Sequence, residues 1–156
     1  SIFRGKMNMH QVAESVDAAG HYLVHTTNLK DHRIVNLNTK LIKRSSLISG
    51  PAVLLPRVGV PKMEKIVMVS PDESYVISDC ILAILTKSVS QAQEVIQLIR
   101  DNWSLFLSMY TGTGAKYTTI SKLRHFLHVI NERNIIAYKS QCNSTRQQTN
   151  LVSLAN

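Results

Sequence analysis

Apolar and polar positions divide the chain into a strand-like first half and a helix-like second half. In the first half, short runs rich in β-branched and aromatic residues are broken by Gly, Pro, Asn and Asp, the pattern of strands and turns. "HYLVHTT" at 21–27 predicts one strand, and 33–37 predicts another after a polar loop. "KLIKRSSLISG" at 40–50 mixes apolar and basic positions and ends in a Gly-Pro break. "AVLLP" at 52–56 and "KIVMVS" at 65–70 predict two strands flanking an eight-residue loop, 57–64. "PDES" at 71–74 reads as a turn, and 75–86 as an extended run that Asp79 interrupts at a bulge or bend. "MNMHQVAESVDA" at 7–18 predicts a short helix of weak periodicity.

From Ser88 the period changes. Ser88 with Gln91, or Ser90 with Gln93, has capping-box spacing. Ala92, Val95, Ile96, Ile99, Trp103, Phe106 and Tyr110 then recur at helical spacing. Asp101-Asn102 predicts a split into two helices, since both residues favour caps over interiors. "TGTGAKYTT" at 111–119 reads as a glycine-rich loop. Thr119 caps a predicted short helix over 120–125, "FLHVI" at 126–130 predicts a final strand, and the polar segment 139–156 reads as a flexible tail.

A chain of 156 residues suits one domain that needs no disulfide or metal staple. Its two cysteines, Cys80 and Cys142, have no metal-binding spacing, which fits a reducing cytoplasm. No apolar run approaches the roughly 18 residues of a membrane span, and no signal-peptide pattern opens the chain. The start at Ser1-Ile2-Phe3, without an initiator methionine, suggests a piece of a longer protein.

Charge sharpens the picture. The formal charge is +8, from 18 Lys and Arg against 10 Asp and Glu. Between His32 and Lys65 the bases are Arg33, Lys40, Lys43, Arg44, Arg57, Lys62 and Lys65, and the only acid is Glu64. After Asp101 six bases face one acid, Glu132. Such a distribution attracts a polyanion, most often nucleic acid; the alternative is a surface kept soluble by charge.

Several catalytic patterns are missing. Gly114 is followed by Ala115 and Lys116 after a predicted helix, which is not a phosphate-binding P-loop, and a dinucleotide fingerprint lacks its third glycine. Serine-nucleophile and zinc-protease motifs are absent. The acids are scattered, so a two-metal nuclease lacks its converging carboxylates. His125 and His128 are three apart but, on a short helix running into a strand, would point different ways, and His10, His21, His25 and His32 show no paired metal spacing. An (Asn/Asp)-Pro-Pro-aromatic methyltransferase motif is absent too. The chain itself offers no catalytic residue, metal or cofactor site.

Three polar loops carry chemistry suited to DNA. In "TTNLKDHR" at 26–33, Asn28 can pair with adenine, Arg33 with guanine or phosphate, and Lys30 adds a cation. In "PRVGVPKMEK" at 56–65, Arg57 and Lys62 are the candidates. In "YTGTGAKYTT" at 110–119, backbone amides, the Thr113 hydroxyl and Lys116 suit phosphates, and Tyr117 suits stacking or an edge contact.

"GHYLVHTTNLKDHRI", "GPAVLLPRVG", "KIVMV", "SDCILAI" and "YTGTGAKYTTISKLRHFLHVI" succeed one another in an order and spacing that resembles target recognition domains. These are the DNA-reading modules of type I restriction-modification specificity subunits, found also at the C-termini of many adenine methyltransferases of restriction-modification systems. The resemblance covers about residues 1–130. It implies an α+β fold, a twisted mixed or antiparallel sheet with helices packed on one side. It implies a recognition domain over 1–138 that holds duplex DNA. A methyltransferase catalytic domain, in the same or a partner chain, would flip the adenine and transfer methyl from S-adenosylmethionine. Specificity subunits join two such units by long coiled-coil helices. One unit and no heptad helix point instead to the methyltransferase C-terminus. "NERNIIAYKS" stands where the family often has a proline-rich segment.

Arg57 comes after an apolar strand and precedes Gly59 and Pro61. Glycine permits positive φ or close backbone approach, and proline stiffens the loop. The arrangement suits a rigidly presented side chain that reads guanine or fixes a phosphate. The alternative is a surface ion pair with Glu64 across the loop. Asn28 has a plain alternative too, capping a turn. A protein-binding adaptor and a nuclease with a concealed acidic site are the competing functions.

Overall fold

A computed structural model describes residues 1–153, with side chains described through residue 136. Among the described residues, ten strands form two four-stranded sheets and a small hairpin. The first sheet has the order β1 (Ile2–Arg4), β10 (Ile81–Leu85), β7 (Ala52–Pro56), β8 (Val67–Val69), all antiparallel. The second has the order β5 (Lys40–Leu41), β2 (Val16–Val24), β9 (Ser74–Ile77), β6 (Leu47–Ser49), with β2 and β9 parallel and the other pairs antiparallel. The hairpin pairs β3 (Leu29–Lys30) with β4 (Arg33–Ile34). The fold is α+β, as expected, but the single sheet expected from the sequence is divided in two.

β7 explains the layering. All five of its residues are buried, because each face meets a different partner. Val53 and Leu55 join Leu82 and Ile84 against the helices. Ala52 and Leu54 join Ile77, Ile81 and Ala83 in the core that also holds Val24, Ile48 and Tyr75 of the second sheet. Alternation along a strand sends successive side chains to opposite faces, so a strand between two layers reads as an unbroken apolar run.

The helices occupy one side of the first sheet. α1 (Val89–Asp101) starts where Ser88 Oγ accepts from the Gln91 amide at 3.1 Å, the first of the two caps that the sequence predicts. Asn102 ends it by donating from Nδ2 to the Leu98 carbonyl, and α2 (Trp103–Ser108) comes next. Phe106 is fully buried, with its ring centroid 5.2 Å from Trp103, 5.5 Å from Phe126 and 5.6 Å from Tyr110. α3 (Ile120–Ser153) closes the layer through Leu123, Phe126 and Ile130.

Other expectations also differ from the structure. The predicted strand at 126–130 lies inside α3, because Leu123, Phe126, Leu127 and Ile130 share one helical face against the core. The predicted helix at 7–18 is two 3-10 turns, Met9–Gln11 and Ala13–Ser15, and then the start of β2. Of its apolar residues only Met7 and Val12 reach the core, while Met9 and Val16 are exposed, so no apolar helix face is buried to hold a longer helix. The run at 75–86 is two strands in different sheets, and Asp79 sits at the crossover between them. At the C-terminus, the segment expected as a tail continues as α3 backbone through Ser153. Its side chains and residues 154–156 lie outside what is described.

Candidate nucleic-acid interface

Three loops far apart in sequence are bonded into one surface, with the 57–65 loop in the middle. On one flank, Lys65 Nζ donates to the Thr26 carbonyl at 3.1 Å, and the His32 amide donates to the Glu64 carbonyl at 2.7 Å. On the other, the Gly59 amide donates to the Lys116 carbonyl at 2.7 Å, and the Thr118 amide to the Arg57 carbonyl at 2.9 Å. The loop at 111–117 closes on itself through reciprocal backbone bonds between Thr111 and Tyr117, at 3.1 and 3.0 Å.

Gly59 has φ +91° with nothing within 4 Å of a would-be Cβ, so conformation and not space demands glycine there. Gly112, at φ +141°, lies where a Cβ would come 3.0 Å from the Ala115 carbonyl oxygen. The β3–β4 turn is made by Asp31 and His32, at φ 51° and 61°, so both central residues are left-handed as a type I′ hairpin turn requires.

Arg57 is half-buried. Its amide donates to the Cys80 carbonyl at 2.8 Å, and its Nε to the Asp79 carbonyl at 2.7 Å. Arg4 Nε reaches the same carbonyl at 3.4 Å. The expected alternative, a pair with Glu64, is replaced by this anchor on the crossover between the two sheets. Lys30, Arg33, Lys62, Thr113 and Lys116 are exposed. Among the described residues, no side-chain hydrogen bond or ion pair engages Lys30, Arg33, Lys62 or Lys116. Tyr117 is 44% exposed, and the Lys122 ammonium stands 5.8 Å from its ring centroid.

Asn28 does not belong to this set. Its Oδ1 accepts from the His25 amide at 2.8 Å, and its Nδ2 donates to the Val35 and Asn36 carbonyls at 3.0 and 3.2 Å. Both amide hydrogens are engaged, so a bidentate adenine contact would break the turn. The plain reading, a residue that shapes the loop, describes Asn28.

Sequence reasoning missed Lys65 as the fastener of the first loop, and Lys122, which bonds Thr111 Oγ1 and covers Tyr117. The signal for Lys122 was its place in the first turn after the glycine-rich loop. It also missed His32, whose ring nitrogen contacts the Ile66 carbonyl at 3.3 Å.

Titratable groups near the crossover serve packing. Burial holds His25 below the ordinary histidine value, with Asp79 opposing and Lys65 reinforcing, and its Nδ1 meets the buried Ser78 hydroxyl at 2.8 Å. Burial pushes the Cys80 thiol up, Asp79 adds to the shift, and Arg57 and Arg4 oppose it. Among the described residues no three His, Cys, Asp or Glu side chains gather as a metal site, and no helix is long and apolar enough to cross a membrane. The chain matches no protein-family model and no curated protein sequence.

Proposed function

We propose that the chain recognises double-stranded DNA by sequence, as the target recognition domain of an adenine-specific restriction-modification methyltransferase of the cytoplasm. One observation supports this most: three loops are locked together by backbone bonds while Lys30, Arg33, Lys62 and Lys116 stand exposed without partners. A rigid scaffold lowers the ordering cost of holding a polyanion, and free cations are what phosphates attract. A separate catalytic domain would supply the chemistry with S-adenosylmethionine. The residues of this chain hold the duplex and choose the site.

The test is duplex binding by the full-length protein across a salt series. Log affinity falls linearly with log salt, with slope about −0.9 per phosphate neutralised. Lys62→Ala and Lys116→Ala each weaken all sequences alike and flatten the slope by roughly one unit. Salt-independent binding, or none, removes the nucleic-acid reading in favour of a protein adaptor.

α3 supports a second reading. Its 34 residues replace the short helix expected from the sequence, and long helices are what join the units of a type I specificity subunit, while the single recognition unit still favours the methyltransferase C-terminus. The two parents differ in one assay. A methyltransferase chain modifies duplex adenine by itself when given S-adenosylmethionine, whereas a specificity subunit does so only with a separate catalytic subunit.

A further inference from the structure

Val60 is 68% exposed, the most exposed large apolar side chain among the described residues. A lone exposed valine ordinarily needs no explanation. This one is held on both sides. Before it, Gly59 takes φ +91° and its amide is tied to the Lys116 carbonyl at 2.7 Å. After it, Pro61 is buried and has a fixed φ. One residue further back, Val58 forms a β-bridge with Tyr117. The backbone therefore presents Val60 on the middle one of the three joined loops, between Arg57 and Lys62 in sequence and one residue after the Gly59 amide that bonds the Lys116 carbonyl.

The side chain adds its own rigidity. Valine has one χ angle, restricted by β-branching, so little freedom is lost when it makes contact. It offers no hydrogen bond. On a surface otherwise suited to phosphates and base edges, an apolar branch matches one feature of the major groove, the C5-methyl group of thymine.

We propose that Val60 is a specificity-determining residue that reads the methyl group of a thymine. The inference rests on the DNA reading above and goes beyond it, because cations on phosphates position the protein without distinguishing sequences.

The experiment uses the full-length protein. Preferred duplexes are first selected from a random library at moderate salt. Each thymine of the selected site is then replaced singly by deoxyuridine, which removes only the methyl group. At one position the wild type should lose roughly fourfold in affinity, the order expected for burying one methyl group. Val60→Ala should bind the unmodified site more weakly by a similar factor and no longer distinguish thymine from uracil there. Its melting temperature should be unchanged. If Val60→Ala does not fold, Val60→Asn, which keeps the bulk and removes both methyl groups, is read in its place.

A wild type indifferent to every replacement overturns the proposal, as does a Val60 variant that keeps the thymine preference. If the wild type selects no sequence but still binds DNA in a salt-dependent way, base reading by Val60 is overturned while the nucleic-acid reading stands. If it binds no duplex, both fall.

Discussion

Arg57 anchors through Nε and has no other side-chain hydrogen bond among the described residues, so the outer fork of the guanidinium remains available. Anchoring and base reading are therefore compatible on one side chain. Arg57→Ala should cost about 1.5–3 kcal/mol of stability, the range for hydrogen bonds to charged groups. It should also lose about 1–3 kcal/mol of discrimination at one base position while keeping non-specific binding. Arg57→Lys should not restore discrimination, because an ammonium lacks the planar fork. Unfolding in urea checks the first effect, and methylation protection over near-cognate sites checks the second. An unchanged site preference in Arg57→Ala would leave this residue as scaffold. The residue scale also shows where the sequence was legible. Polar loops and their free cations could be read from composition and spacing. The engagement of Asn28 could not, because residue type does not reveal which backbone groups claim an amide. The glycine and proline around Arg57 marked a shaped loop, but the Asp79 carbonyl that holds the arginine comes from a crossover 22 residues away.

Among the elements, the β3–β4 hairpin has an unusual pairing. Lys30 and Arg33 are register partners across a two-residue turn, and like charges directly opposite destabilise a strand pair. The hairpin is nevertheless fixed, because the His32 amide and ring both contact the segment 64–66. An anion between the two cations would relieve the repulsion. Lys30→Glu should therefore stabilise the free protein, by up to about 1 kcal/mol. It should weaken duplex binding more than Lys30→Ala does. Denaturant midpoints and mobility shifts on the same preparations check the pair of effects, and a variant that loses stability and keeps affinity would contradict both. Element type was legible where the period was long, as in α1 with its Ser88 cap and Asn102 stop. It failed at 126–130, where five residues were read without Leu123 and Ile120 before them. It also failed to divide the strands between two sheets, since an interruption at Asp79 reads equally as a bulge within one strand and only long-range pairing assigns β9 and β10 to different sheets.

For the whole molecule, a net charge of +8 means that ionic strength acts on the fold and on the complex in opposite directions. Lys30 and Arg33 face each other across the β3–β4 pair, so their repulsion is built into the folded state, to which the net charge adds. Salt screens that repulsion, with a Debye length near 10 Å at 0.1 M. The free protein should therefore melt at a higher temperature as salt rises. Duplex DNA stabilises whatever folded form binds it, by about 2.7 kcal/mol when DNA is at 100 times Kd. That gain should be largest at low salt and shrink as counterion release weakens binding. Melting curves with and without a duplex of the preferred sequence should thus converge as salt increases, the free protein rising toward the complex. Lys62→Ala and Lys116→Ala should bring the two curves together at lower salt. Curves that stay parallel across the series would mean that the exposed cations meet no phosphates, and that the joined loops serve another partner.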